Sequence, residues 1–331
     1  MKYRLGTGPA LAVAALMMAG CGSPTSGTDS ETNPSVDYGI ALVTGITGNQ
    51  GGGVAATLIE EGYRVRGLTR TPDSQRARYW SDLGADMVQG DFTDYESIDA
   101  AVQGIDYLFV NVQERVPDYI EASKHLLDAA HEAGVKHIVF SSNRRSEPEL
   151  PESASKTELE IYLRGSGYSY TTLRIPQLMS NFIRERDMQN VLRDGVVGRG
   201  SESSTFAYYA PDDLGVLAAA SFADTEAWNG REINLSADEL TDRDLALLLS
   251  ELSGVEIEYT APPAQQDGRW AAHQGLPYDT EQLREEFPGI MTLREYLQRS
   301  NYGERLKAMS LLPLPPAPPQ DRPRPGGPPQ R

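Results

Sequence analysis

Three spaced glycines and the polar residues between them carry the clearest chemical signal in this chain. The sequence IALVTGITGNQGGG begins with an apolar run, passes through the glycines, and leads into a helical pattern. This order predicts a strand, a tight turn and a helix. Such a turn suits a dinucleotide pyrophosphate, because free backbone N–H groups and the positive end of the helix dipole face the anion. We expect six residues of this turn to contact the cofactor: Gly45, Thr47, Gly48, Asn49, Gln50 and Gly51.

The tip of the second predicted strand distinguishes the two nicotinamide dinucleotides. A carboxylate there accepts a hydrogen bond from the ribose 2′-hydroxyl of NAD, whereas an arginine suits the 2′-phosphate of NADP. The strand from Tyr63 to Thr69 is followed by Arg70 without an acidic residue, and Arg76 and Arg78 come on the next helical segment. NADP(H) is therefore the expected cofactor and NAD(H) the less favoured one. The alternative is that Arg70 is a solvated surface arginine.

Two further strand ends supply candidate contacts. The third predicted strand is followed by Asp91, which can accept from the adenine amine, and by Phe92, which can cover a ring face. The alternative for Asp91 is a turn or helix-capping role. The fourth strand, YLFV, is followed by Asn111 and Val112. Because ligands bind at the carboxyl ends of parallel strands, these four residues are expected near the cofactor.

The elements that must hold these residues alternate between strand and helix. A fifth strand ends at Ser141 and Ser142, a strand is predicted from Ser169 to Leu173, and helices are predicted from Pro211 to Ala223 and, as the last one, from Leu293 to Arg299. The length of 331 residues allows a doubly wound domain and a smaller lobe. The predicted fold class is α/β, with a Rossmann-type doubly wound parallel sheet and a smaller C-terminal α/β lobe.

The composition excludes several classes of function. The chain has 47 acidic and 30 basic side chains and a net charge of −17, which argues against a general nucleic-acid binder. A single cysteine rules out an intramolecular disulfide. Four histidines without clustered Cys/His spacing give no sign of a metal site.

The first residues have the layout of an export signal. Lys2 and Arg4 precede a short apolar core, and small residues come directly before Cys21. This arrangement resembles a bacterial lipoprotein lipobox, which implies a signal peptide at 1–20, lipid attached to Cys21 and a flexible linker at 21–38. The predicted location is the bacterial cell envelope, through a lipid anchor. The alternatives are an ordinary signal peptide, or a misassigned start that leaves the protein in the cytoplasm.

The chain ends in a proline-rich run. Residues 312–331 contain repeated prolines, which lack N–H donors and fix φ. They predict an extended, disordered tail with polyproline II character. A docking site for a proline-recognising partner is the alternative.

Several motifs together resemble the NmrA-like family, an atypical branch of the short-chain dehydrogenase/reductase superfamily. They are TGITGNQGGGVA at 44–55, LTR at 68–70, VQGDFTD at 88–94, VFSS at 139–142, TTLRIPQLMSNF at 171–182 and TLREYL at 292–297. The resemblance covers residues 39–302. It implies a Rossmann domain that binds NADP(H), with a smaller lobe formed mainly by 174–302. Members of the family include NAD(P)H-dependent quinone and azo-dye reductases, and dinucleotide-binding redox sensors without known turnover.

The superfamily also implies a catalytic pattern that this chain keeps only in part. Typical members carry a tyrosine four residues before a lysine, and a serine after the fifth strand. Here Ser141 and Lys156 match, but Glu152 stands at the tyrosine position, and Tyr162 lies six residues after the lysine on another helix face. Lys156 is thus the one candidate catalytic residue, and its main implied role is to contact the ribose and pyrophosphate. The alternative is a surface lysine.

The resemblance also places residues of the second half near the substrate. Asn181 and Phe182 belong to the substrate-side segment in related proteins, although a core role is the alternative for the phenylalanine. Tyr208 and Tyr209 are expected near the cleft.

The missing tyrosine bears on the predicted activity. It disfavours alcohol dehydrogenation, but a reduced quinone or azo product can take its proton from water. The expected function is therefore hydride transfer from NAD(P)H to a quinone- or azo-type acceptor, and the alternative is a non-catalytic redox-sensing or regulatory protein. The expected partners are the dinucleotide and a small-molecule acceptor, without nucleic acid, and with membrane contact only through the anchor. The oligomeric state stays open.

Overall fold

The computed structural model describes residues 38–143, 151–199, 203–261 and 280–313, with side chains described from residue 156 onward in the second of these ranges. The predicted signal peptide 1–20, Cys21, nearly all of the linker 21–38 and most of the tail 312–331 lie outside the described residues. Among the described residues, no helix has both the length and the apolar character that crossing a membrane requires.

A seven-stranded sheet in which all strands run parallel forms the centre of the protein. The strands of the described chain are β1 (Ile40–Thr44), β2 (Arg64–Thr69), β3 (Asp86–Gln89), β4 (Tyr107–Val110), β5 (His137–Asn143), β6 (Tyr170–Ile175), β7 (Gln177–Leu178), β8 (Val196–Val197), β9 (Thr205–Tyr209), β10 (Arg231–Asn234), β11 (Asp238–Thr241) and β12 (Tyr259–Thr260). The central sheet has the order β3–β2–β1–β4–β5–β6–β10. Chain order reverses between β1 and β4, which is the point where doubly wound folds bind their ligands.

Both faces of the central sheet are apolar and covered. Successive side chains of a strand point to opposite faces. In β1, Ala41 and Val43 pack into one core cluster, whereas Leu42 packs into the other. In β4, Phe109 joins the first cluster and Leu108 the second. All five side chains are fully buried, so each strand needs helices on both sides.

Helices cover the two faces in two layers. The helices of the described chain are α1 (Asn49–Glu60), α2 (Gln75–Asp82), α3 (Tyr95–Ala101), α4 (Tyr119–Glu132), α5 (Pro151–Ser166), α6 (Glu185–Asp194), α7 (Pro211–Ala223), α8 (Thr225–Trp228), α9 (Asp242–Ser253), α10 (Thr280–Glu286), α11 (Leu293–Arg299) and α12 (Tyr302–Ser310). Apolar residues of α1, α2 and α7 belong to the first core cluster, and those of α3, α4 and α5 to the second. The predicted doubly wound α/β fold is confirmed.

Helices α1 and α7 approach each other closely because both carry glycine at the contact. A Cβ atom on Gly53 would lie 2.3 Å from the carbonyl oxygen of Pro211, and one on Gly215 would lie 2.4 Å from the side chain of Thr57. Neither distance is compatible with a side chain unless the helices move apart. The close contact fixes the direction of α1 and, with it, the direction of its N-terminus.

Smaller sheets and C-terminal helices build a lobe beside the carboxyl ends of the central strands. Strands β11, β9 and β7 form one sheet, and β12 pairs with β8. Within the range 174–302, however, β10 extends the central sheet and α7 covers α1, so only part of that range belongs to the lobe. The prediction that Leu293–Arg299 is the last helix is wrong, because α12 follows directly and buries Tyr302 and Leu306.

Candidate functional site

The glycine turn after β1 leaves no room for side chains. Gly45 has a φ of +67°, which favours glycine, and its carbonyl oxygen accepts a hydrogen bond of 2.9 Å from the N–H of Gly48. A Cβ atom on Gly51 would lie 2.4 Å from the Gly45 oxygen and 2.7 Å from the oxygen of Thr44. The chain therefore turns sharply and brings backbone N–H groups to the surface at this point.

The N-terminus of α1 is open. Its capping residue is Gly48, which offers no side chain to the orphan N–H groups, and its first turn contains no acidic residue. Gly48 and Asn49 are exposed, and Thr47 and Gln50 are partly exposed. An uncapped helix start of this kind can bind a phosphate through its N–H groups and its dipole.

Two side chains of the first turn of α1 reach across to other elements. The Asn49 amide donates a hydrogen bond of 3.1 Å to the hydroxyl of Ser180, in the 3-10 turn at Met179–Asn181 of the lobe. The Gln50 carbonyl oxygen accepts one of 2.6 Å from Ser141, in β5. The helix start is thus tied to the lobe on one side and to the central sheet on the other. The sequence contains no local signal for either contact, because the partners are 131 and 91 residues apart.

The ends of β1 and β4 are joined by a threonine. The Thr44 hydroxyl donates to the carbonyl oxygen of Phe109 at 3.3 Å and accepts from the N–H of Asn111 at 2.7 Å. A Cβ atom on Gly45 would meet the Asn111 carbonyl oxygen at 3.2 Å, and Val112 is buried. Asn111 thus lies next to the glycine turn, whereas the Val112 side chain faces the second core cluster.

Lys156 lies in a buried position against β5. Only 7% of the residue is exposed, and its Nζ donates a hydrogen bond of 3.1 Å to the carbonyl oxygen of Ser141. Burial lowers the pKa of Lys156 to about 8, although the carboxylates of Glu114 and Glu160 act in the opposite direction. The alternative of a surface lysine is therefore wrong. Gln50, Ser141 and Lys156 form one continuous set at the end of β5.

Arg70 stands exposed at the end of β2. It makes no hydrogen bond or ion pair with any other described residue, and its charge contributes to lowering the pKa of Asp91. Arg76 and Arg78 lie on the exposed side of α2. The three guanidinium groups are therefore available to a ligand.

The side chain of Asp91 has the turn role that the sequence analysis gave as the alternative to an adenine contact. One of its carboxylate oxygens accepts from the backbone N–H of Thr93 at 3.0 Å and from the Thr93 hydroxyl at 2.9 Å. These two bonds are the main reason that the pKa of Asp91 is lowered. The same residue stays partly exposed beside the strand end. Phe92 is half-buried and packs against the second core cluster.

Tyr162, Tyr208 and Tyr209, the three tyrosines considered in the sequence analysis, do not take the place of the missing tyrosine. The Tyr162 hydroxyl donates to Asp128 on α4, away from the end of β5. Tyr208 and Tyr209 are fully buried, which corrects the expectation that they face the cleft. The Tyr208 hydroxyl accepts a hydrogen bond from Arg199, and Tyr209 packs in the first core cluster. β9 is the middle strand of a sheet with β11 and β7, and both rings pack in the first core cluster.

The segment that the resemblance places on the substrate side is half-buried. Asn181 and Phe182 are both partly exposed, and the Phe182 ring lies 5.6 Å from that of Tyr208. Phe182 therefore combines a core contact with an accessible edge. Across the four described ranges, no group of three or more His, Cys, Asp or Glu side chains is placed to hold a metal ion.

The central sheet, the glycine turn and the open helix start together define a protein of the Rossmann class. The chain belongs to the NmrA-like family, whose model matches residues 39–271.

Known proteins of this kind include enzymes and a regulator. The NmrA-like family domain-containing oxidoreductase FrzB of Cladobotryum sp. is 32% identical over 227 residues, which are 59% of this chain and 68% of the relative. The NADPH-dependent quinone oxidoreductase of Escherichia coli, solved with NADPH, is 23% identical with a TM-score of 0.66, covering 78% of this chain and 99% of its own. The negative transcriptional regulator Nmra, solved with NADP, is 17% identical with a TM-score of 0.66. This match covers 82% of this chain and 96% of the regulator.

Proposed function

We propose that this protein is an NADP(H)-dependent reductase of quinone- or azo-type acceptors. The observation that carries the proposal is the open start of α1 above a turn that excludes a Cβ atom at Gly51. A pyrophosphate fits such a cradle because the backbone can approach its oxygens closely. The family and its oxidoreductase relatives support a redox use of this cradle.

The choice of NADP(H) over NAD(H) rests on Arg70. It is exposed at the end of β2, where a carboxylate selects NAD, and it has no partner among the described residues. A guanidinium group can contact a 2′-phosphate through two N–H groups at once. Asp91 and Phe92 then flank the adenosine side, with the free edge of the Asp91 carboxyl available to the adenine amine.

The side chains at the end of β5 would hold the nicotinamide end. When bound, the reduced nicotinamide supplies a hydride to the acceptor. Ser141 and Gln50 offer a hydroxyl and an amide to the nicotinamide riboside, and Lys156 offers an ammonium group to the ribose and pyrophosphate. No tyrosine stands four residues before Lys156 to deliver a proton. The reduced acceptor therefore takes its proton from water.

A binding and turnover assay tests this function. The mature chain is mixed with NADPH or NADH, and binding is followed by the fluorescence of the reduced nicotinamide. Oxidation of NADPH is then followed at its absorbance maximum with a panel of quinones and azo dyes. We expect tight NADPH binding, weaker NADH binding, and turnover with at least one acceptor. Turnover with none, at concentrations that saturate the cradle, contradicts the enzymatic function.

A second candidate function is a non-catalytic dinucleotide sensor. It is favoured by the sequence position of Glu152 in place of the tyrosine and by the fold shared with a transcriptional regulator. Tight NADPH binding without oxidation by any acceptor is the expected result for a sensor. Failure to bind NADPH and NADH indicates instead that the cradle no longer serves a dinucleotide.

We propose, from the first residues alone, that the chain is anchored in the cell envelope through lipid on Cys21. This location conflicts with a supply of NADPH, which is a cytoplasmic metabolite. Fractionation with mass analysis of the mature N-terminus distinguishes the alternatives. A lipid-modified Cys21 in the membrane fraction supports the anchor and favours the sensor, whereas an unmodified Cys21 in the cytoplasmic fraction removes the anchor and favours the reductase.

A further inference from the structure

One side of α5 carries charged residues of alternating sign at one-turn spacing, of which Lys156 and Glu160 are buried and Arg164 is exposed. Lys156, Glu160 and Arg164 are four residues apart and so lie on one face of the helix. Glu160 is 2% exposed and Lys156 is 7% exposed, although charged side chains are rarely buried so deeply without partners. The partners therefore have to come from the sheet beneath the helix.

The strands β6 and β10 supply the charged partners of Glu160 and Arg164. Arg174 contacts both carboxylate oxygens of Glu160, with its Nη2 at 2.7 Å from one oxygen and its Nε at 3.2 Å from the other. Arg174 also pairs with Glu232, which in turn accepts from Arg164 at 2.7 Å. The result is a chain of charges from the middle of α5 to its end, in which positive and negative groups alternate.

Glu160 also reaches the end of β5. The Ser142 hydroxyl donates a hydrogen bond of 2.5 Å to Glu160. Ser142 follows Ser141, and side chains of successive residues in a strand point to opposite faces. Ser142 therefore faces α5, whereas the Ser141 hydroxyl faces α1 and Gln50. The Ser141 carbonyl oxygen, between the two, accepts from Lys156.

We propose that Glu160 is a positioning residue, which fixes the end of β5 from the α5 side and so holds Lys156 at Ser141. The proposal rests on the proposed function, because it assigns Glu160 to the same cofactor site. Glu160 itself touches neither the glycine turn nor Gln50. It acts through Ser142 and through its charge on Lys156.

The charges around Lys156 make this role measurable. Burial lowers the pKa of Lys156, and two carboxylates oppose that effect: Glu114, in the segment after β4, and Glu160, on the same helix. Replacing Glu160 by an uncharged residue removes one of them and leaves the charge of Arg174 less compensated. Both changes disfavour the protonated form of Lys156. A role in packing alone would not change the titration of Lys156.

Titration of Lys156 in the full chain tests the proposal. The chain has five lysines, so protein labelled with carbon-13 at lysine Cε gives few signals, and the Lys156 signal is assigned from Lys156→Met. We expect the midpoint of Lys156 in Glu160→Gln to move down by about one pH unit. The matched control is Glu158→Gln, on the exposed side of the same helix, where Glu158 pairs with Lys124. The midpoint of Lys156 should stay unchanged there.

A second variant keeps the test decisive if Glu160→Gln does not fold. Arg174→Lys keeps a positive charge but loses the paired contact with both oxygens of Glu160. The negative charge of Glu160 is then less compensated and acts more strongly on Lys156. The titration midpoint of Lys156 should therefore move to higher pH. An unchanged Lys156 midpoint in every variant that folds overturns the proposal.

Cofactor binding separates this proposal from the proposed function. The Lys156 titration is measured without any dinucleotide, so it succeeds or fails independently. If NADPH binds, the loss of affinity in Glu160→Gln, relative to the original chain, should be larger at pH 8 than at pH 6. The reason is that Lys156 gives up its proton at a lower pH in the variant than in the original chain. A shifted midpoint in a protein that does not bind NADPH supports the positioning of Lys156 and contradicts the reductase.

Discussion

The Ser141 hydroxyl donates a hydrogen bond of 2.6 Å to the side-chain carbonyl oxygen of Gln50. This contact joins the end of β5 to the start of α1, on the two sides of the position proposed for the nicotinamide riboside. Asn49 makes the corresponding contact with Ser180 of the lobe. The first turn of α1 is thereby held between the sheet and the lobe, which gives the open N–H groups a fixed direction.

The pair is expected to stabilise the fold directly. Gln50→Ala and Ser141→Ala should each lower the free energy of unfolding, and the double variant should lose about 1 kcal/mol less than the sum of the two. The reason is that each single variant already removes the shared hydrogen bond. Urea unfolding of the four proteins measures the coupling. Strictly additive losses contradict a direct bond between these side chains.

Gly51→Ala tests whether dinucleotide binding requires the tight backbone packing of the glycine turn. The added Cβ atom would lie 2.4 Å from a backbone oxygen, and backbone cannot yield as a flexible side chain does. We expect NADPH affinity to fall about tenfold or more, equivalent to at least about 1.4 kcal/mol. The matched control is Gly165→Ala on α5, where no atom lies within 4 Å of the new methyl group. Its affinity for NADPH should equal that of the original chain.

Arg70→Ala tests the choice between the dinucleotides. If Arg70 contacts the 2′-phosphate, the variant loses a charge-assisted contact, and NADPH should bind about tenfold more weakly. NADH lacks that phosphate, so its affinity should barely change. Arg186→Ala, in the exposed first turn of α6, is the control for a general loss of positive charge. An equal loss for both dinucleotides would falsify the assignment of Arg70.

The sequence was most informative where local pattern and structure coincide. The bounds of β4 and α7 agree with the prediction. Apolar runs followed by glycine or a polar turn define such elements without information from distant residues.

Other parts of the site depend on contacts that no local pattern contains. Tyr208 and Tyr209 lie in β9, and their burial depends on the pairing of this strand with β7 and β11. The local sequence around Lys156 is compatible with an exposed or a buried side chain. The packing of α5 on β5 is what buries it. Glu160 is four residues from Lys156, yet its partner Arg174 comes from another strand.

Asp213 should make the stability of the fold depend on pH. It is fully buried in the first turn of α7, where one carboxylate oxygen accepts from the N–H of Met291 at 2.8 Å. The other oxygen has no hydrogen-bond partner among the described residues. Burial raises the pKa of Asp213 from 3.8 to about 7; the Met291 N–H opposes this, and Asp212 adds to it.

The direction of the pH effect follows from proton binding. Between about pH 4 and pH 7 the folded state keeps a proton on Asp213 that the unfolded state has lost, so stability falls as the pH rises through this range. The contribution of this one group is on the order of 1.4 kcal/mol per pH unit. Asp213→Asn keeps an acceptor for Met291 but cannot ionise. Relative to the original chain, it should therefore gain stability from pH 5 to pH 7 and change little above pH 8.

Urea unfolding of both proteins at several pH values measures this difference. Taking the difference is necessary because other carboxylates also titrate in this range, and their effects cancel between the two proteins. Asp82→Asn, at the exposed end of α2, serves as the control for the loss of a carboxylate from an exposed position. The prediction is contradicted if the difference in the free energy of unfolding between Asp213→Asn and the original chain stays constant from pH 5 to pH 8. In that case the folded state ionises Asp213 as readily as the unfolded state does.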